Sequence, residues 1–289
     1  MKNKILPILL ITLTIVYSFA IPVLADQEDV VSLGADLSPK QQEEILEYFD
    51  VKRDEVRLIE VTNQEERDYL SGLISDKQIG TRAISSAYVQ PLPAGEGIMV
   101  DTHNITWVSK EMYANAMVTA GIEDAKVVAA APFNVSGTAA LTGIMKAFEE
   151  ASGEELSDEA KKTANEELVL TGDLGEEVGQ EEAAELIKKV KEEVVVNKPK
   201  EESDIEDIVR DIAKQLNIEL TDEQIAQIVA LMKKISQLNL NVDTITKQLD
   251  KIGVSVDDIK KTVEENKGVL QKILDAITDF FSWVRSFFK

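Results

Sequence analysis

The chain has 289 residues, 44% of them apolar, with no cysteine, one histidine and a formal net charge of −22. Without cysteine there is no disulfide, no thiolate nucleophile, no thiolate zinc site and no lipid-modified cysteine anchor, and His103 alone makes no histidine-rich metal site. So acidic a surface repels the phosphates of nucleic acid, which is excluded as a partner, while the length suits two folded regions.

The N-terminus reads as a secretion signal. Lys2 and Lys4 precede an apolar run from Ile5 to Leu24, and Val23-Leu24-Ala25 offers small residues at a cleavage site followed by Asp26. Cleavage after Ala25 removes two lysines and takes the charge from −22 to −24. Uncleaved, the same run approaches the length of a membrane anchor. The many carboxylates read as a solvated face, and no cofactor or metal is expected.

From Asp26 to Gly153 strands and helices alternate. Val30–Leu33 is a first strand, and Ser38-Pro39-Lys40-Gln41 opens a helix with Ile45, Leu46 and Phe49 inward. Val56–Val61 is a strand, and Asn63 caps a helix carrying Tyr69, Leu70 and Leu73. Thr81–Val89 and Gly97–Val108 read as extended segments joined like a hairpin through Pro91, Pro93, Gly95 and Gly97. Ser109 caps a helix closed by Gly121, and Lys126–Ala131 is a buried strand that Pro132 ends, so this stretch is a parallel strand–helix–strand crossover. Ser136 is the expected N-cap of a helix with Ala140, Leu141, Ile144 and Phe148 on one face. The expected fold is an α/β (α+β) N-terminal domain with a mixed sheet of about five strands, followed by a mainly α-helical C-terminal bundle.

After Gly153 the strand signals stop. Residues 154–196 read as acidic helices, Ser157–Val169 and Gln180–Val195, separated by Gly172, Gly175 and Gly179. Residues 197–203, NKPKEES, read as a linker. In 204–289, capping boxes at Ser203/Glu206 and Thr221/Gln224 and a cap at Asn241 open helices of a small bundle. The final helix carries Ile273, Ile277, Phe280, Phe281, Val284, Phe287 and Phe288 as one stripe flanked by Trp283, Arg285 and Lys289. This face is read as core, as a docking surface, or as a membrane-surface contact.

Chemistry is sparse. Asp101 and His103, two apart on a strand, share a face and are the weak candidates for a base and its orienting carboxylate. No hydroxyl is singled out as their nucleophile, and no nucleophile elbow is present. The turn at Ser136, Gly137 and Thr138 leads into a helix N-terminus and is a candidate anion-binding turn, without either phosphate-loop fingerprint.

Three passages carry a family resemblance: KVVAAAPFNVSGTAALTGI (126–144), DIEDIVRDIAKQLNIELTDEQIAQIVALMKKI (204–235) and LNLNVDTITKQL (238–249). They resemble the YpuA-like DUF1002 family of secreted, uncharacterised proteins of Gram-positive bacteria. That resemblance implies an exported cell-envelope protein and transfers no catalytic residue or cofactor. The expected function is non-catalytic binding of an envelope protein. The alternatives are a hydrolase using Asp101 and His103, and a peripheral membrane-surface protein working through the C-terminal stripe.

Overall fold

The computed structural model describes residues 28–75 and 79–252. The signal segment, Gly253 and the helix from Ser255 with its aromatic stripe lie outside the described residues. Five strands form one mixed sheet: β1 (Val30–Gly34), β2 (Arg57–Val61), β3 (Ser86–Pro91), β4 (Met99–Ile105) and β5 (Ala125–Val135), in the order β2-β1-β3-β5-β4. β1 runs parallel to β2 and antiparallel to β3, and β5 runs antiparallel to β3 and parallel to β4. Among the described residues nine helices accompany the sheet: α1 (Pro39–Tyr48), α2 (Asn63–Leu70), α3 (Lys110–Ala120), α4 (Ala140–Ser152), α5 (Asp158–Val178), α6 (Gln180–Asn197), α7 (Glu202–Leu216), α8 (Asp222–Gln237) and α9 (Val242–Lys251). None of them is long and apolar enough to cross a membrane.

Local signals set several boundaries as expected. Ser38 and Thr221 close capping boxes with Gln41 and Gln224, Asn241 caps α9, and Ser109 opens α3 before Gly121 ends it in the left-handed region at φ 91°. The parallel β4–α3–β5 crossover is present.

Other boundaries move. Thr62, not Asn63, caps α2, with Glu65 completing its box. The hairpin is absent: β5 lies between β3 and β4, so the proline- and glycine-rich connection passes over the end of a central strand. Pro132 lies inside β5 and does not end it. Pairing with β3 stops at Ala130, and the β4 register shifts between His103 and Ile105, so the proline sits where no regular ladder needs its missing N–H. α4 begins at Ala140 with Ala139 before it and no side-chain cap, so Ser136 does not serve as one. α5 is a single helix that runs through Gly172 and Gly175, and only Gly179 parts it from α6. α7 starts at Glu202 after Glu201, which places Ser203 inside the first turn, and Lys198–Glu201 alone connect α6 to α7.

Strand alternation divides the sheet's two faces. Val30, Ala87, Val89, Val127 and Ala129 point into the large apolar cluster with α3 and α4. Gly143 lets α4 approach closely, since a Cβ there would stand 2.7 Å from Ser32 Oγ. α3 is buried from Met112 to Ala120 because the sheet covers one side of it and α5, α6 and α9 the other, so its sequence is apolar nearly all round. The same cluster extends without a break through Val190, Val209, Met232 and Leu249.

The opposite face carries a smaller cluster. Val31, Leu33, Tyr88 and Ala130 meet Ile45 and Leu46 of the ten-residue α1.

Candidate functional site

Among the described residues, the face of the sheet under α1 is covered at one end only. Register places Gln90, Lys126 and Met99 at the uncovered end, followed by Val128 with Asp101 and Ala130 with His103. Lys126 and Asp101 are exposed, and Gln90, Met99, Val128 and His103 are half-buried. An α/β layer whose second face is this open presents side chains to solvent from a rigid backbone.

His103 and Tyr48 meet across this face. Their rings are stacked, with centroids 4.0 Å apart and planes at 21°, and Tyr48 keeps 40% of its surface exposed at the last position of α1. Phe49 contacts Tyr48 edge-on and tilts against Tyr88, which ties the pair to the small core. Burial and then the charge of Asp101 raise the Tyr48 hydroxyl above the ordinary phenol range.

Asp101 and His103 share a face, as their spacing on β4 requires. Asp101 Oδ1 accepts the Thr102 amide at 2.8 Å, and among the described residues no hydrogen bond joins His103 to Asp101 or to a hydroxyl. Next to His103 the backbone is irregular. Asn104 takes φ +57°, its Nδ2 donates to Ala131 O at 2.8 Å, and Phe133 on the facing stretch of β5 is 46% exposed.

Both sheet edges are blunted by side chains. The Thr102 amide of edge strand β4 is taken by Asp101, and the Glu60 carbonyl of edge strand β2 accepts Lys146 Nζ at 2.7 Å.

The turn at Ser136, Gly137 and Thr138 faces inward. Ser136 O accepts the Trp107 and Val108 amides, Gly137 O accepts the Tyr113 hydroxyl at 2.6 Å, and Ser136 Oγ meets Thr138 Oγ1 at 3.3 Å. Gly137 sits at φ +96° and packs against Ile105 and Tyr113, so any side chain there would collide. The turn buttresses the end of β4. A cleft of about 560 Å³ between the start of α7 and the end of α8, crossed by the Lys233–Glu202 pair at 2.5 Å, includes none of Tyr48, Asp101, His103, Ser136, Gly137 and Thr138.

Two residues escaped sequence reading. Lys191 of α6 and Glu167 of α5 are buried and paired at 2.6 Å. Lys191 also donates to Asn115 O at 2.7 Å and to Thr119 Oγ1 at 2.8 Å, and Thr119 donates to the second Glu167 oxygen at 2.5 Å. A signal existed: Lys191 continues the apolar stripe of Ile187, Val190 and Val194, where an unpaired ammonium could not be accommodated. The pair and its hydrogen bonds tie α3, α5 and α6 together. Tyr48 gave no such signal, because its partner lies 55 positions along the chain in another element.

Residues 33–252 match the model of a protein family described as "Protein of unknown function (DUF1002)". The chain is 44% identical over 263 residues to "Uncharacterized protein YpuA" of Bacillus subtilis (strain 168), an alignment covering 90% of this chain and 89% of that one. No solved structure matches it. With the family match spanning most of the chain and the relative aligned nearly end to end, this protein belongs to the DUF1002 family.

Proposed function

We propose that this protein is an exported, non-catalytic binding protein of the cell envelope that presents the α1 face of its sheet to a partner protein. The observation that carries this reading is the asymmetry of the sheet. Among the described residues, one face is layered by α3 and α4, and the other keeps the exposed Tyr48 stacked on His103. Export is supported by the basic, then apolar, N-terminal segment ending Val23-Leu24-Ala25.

The test follows the chain in a Gram-positive host. The reading expects the protein in the envelope or medium with Asp26 as its first residue. A cytoplasmic protein that keeps Met1 would overturn it.

A further inference from the structure

His103 covers one face of the Tyr48 ring at 4.0 Å, and the residue keeps 40% of its surface exposed. An open phenol face is the negative side of an aromatic quadrupole. Beside it stands an exposed carboxylate with spare capacity: Asp101 gives one oxygen to the Thr102 amide and makes no ion pair among the described residues. The other carboxylate at this end of the sheet, Asp29, is already engaged by the Tyr88 hydroxyl at 2.5 Å and the Gln90 amide at 3.1 Å. Lys126 of β5, which register places diagonal to Asp101 on this face, makes no ion pair with it among the described residues.

These features sort the ligands. An anion meets Asp101 and a chain of net charge −22. A neutral sugar draws on planar amides around the ring platform, but the Gln90 amide is turned to Asp29 and the Asn104 amide already donates to the Ala131 carbonyl. A guanidinium satisfies both remaining groups at once, stacking on the ring and donating to the carboxylate. We propose that Tyr48, His103 and Asp101 form a receiving site for an arginine side chain of a partner protein, with Tyr48 beneath the cation and Asp101 as its counter-ion. This rests on the reading of the α1 face as a binding surface and names the chemistry that surface takes.

His103 is the chain's single histidine, so its imidazole gives one isolated NMR signal in protein purified without a histidine tag. The probes are N-acetylarginine amide, its neutral isostere N-acetylcitrulline amide, and chitobiose, each titrated into the full chain. The expected result is a saturable His103 shift with the arginine probe alone, weakened by high salt. Tyr48→Ala and Asp101→Asn should each weaken it by about fivefold, the scale of one exposed cation–π or ion-pair contact. Asp101→Asn keeps the oxygen that accepts the Thr102 amide, so its fold is preserved and the charge alone is tested. An equal response to citrulline, an arginine response unchanged in both variants, or no response would each overturn the arginine assignment. A shift with chitobiose and none with arginine would also overturn it, while leaving the α1 face as a binding surface.

Discussion

Lys191 Nζ lies 2.6 Å from Glu167 Oε1, with both side chains closed off from solvent. Burial pushes Glu167 up and Lys191 down toward their neutral forms, and their mutual attraction with three further hydrogen bonds opposes that. The ammonium uses all three of its donors, one each toward α3's Asn115 carbonyl, Thr119 hydroxyl and α5's carboxylate.

Lys191→Met leaves a buried carboxylate without its cation and should cost about 3–5 kcal/mol of stability. The double variant Lys191→Met/Glu167→Leu should recover most of that loss, because two apolar side chains need no partners. Urea denaturation of wild type, single and double variants checks both expectations. Equal losses in the single and double variants would show that packing volume, not charge, is what matters there.

Glu66 of α2 supplies a pH dependence of known sign. Burial, with the nearby charges of Asp36 and Glu65, raises its carboxyl from 4.5 to about 7 against the Asn63 hydrogen bond and the Arg67 charge. The native state then holds a proton that the unfolded chain releases. Its contribution to stability is present below pH 4.5 and is lost as pH rises through about 7. The ceiling is about 3 kcal/mol, at 1.36 kcal/mol per pH unit over that interval. Glu66→Gln should flatten stability measured between pH 4.5 and 7.5, and an unchanged slope would assign the dependence to another group.

Gly172 is the seat of Trp107. A Cβ at this position would run into the indole, whose Nε1 donates to Glu176 Oε1 at 2.8 Å. Gly172→Ala should cost about 1–3 kcal/mol through overpacking, although alanine is the better helix former. Thermal unfolding measures the loss, and Trp107 emission should shift to the red as the ring is displaced.

Asp124 locks α9 to the end of the sheet. Its carboxylate accepts Gly97 N at 2.6 Å, Gly95 N at 2.9 Å and Gln248 Nε2 at 2.9 Å, and Lys251 packs over Gly97. Burial would raise Asp124, but these hydrogen bonds outweigh it and hold the carboxyl below the usual range. Its stabilisation is therefore present above the unfolded value and lost as pH falls through the lower folded one. Asp124→Ala should speed hydrogen exchange at the Gly95 and Gly97 amides and in α9, with the central strands unaffected.

The sequence carried the local part of this fold. Ser109 to Gly121 is legible because cap, helix and terminator are neighbours in the chain. The hairpin was not, because β5 enters between β3 and β4 from twenty residues further on, and no local signal marks an insertion. Gly172 and Gly175 read as helix breakers, since the Trp107 ring that needs Gly172 is 65 positions away. The shared face of Asp101 and His103 was legible in their spacing on β4. Tyr48 gives that face its chemistry, and it became visible only when α1 was laid over the sheet.

The measurement closest to the central claim is equilibrium co-sedimentation of residues 26–289 with isolated envelopes of a Gram-positive bacterium. Wild type is compared with Tyr48→Ala/Asp101→Asn and with Lys214→Ala on the exposed side of α7. Saturable binding that the double variant loses and Lys214→Ala keeps is the predicted result. Equal retention of all three proteins, or no retention of wild type, would contradict a binding role for the α1 face.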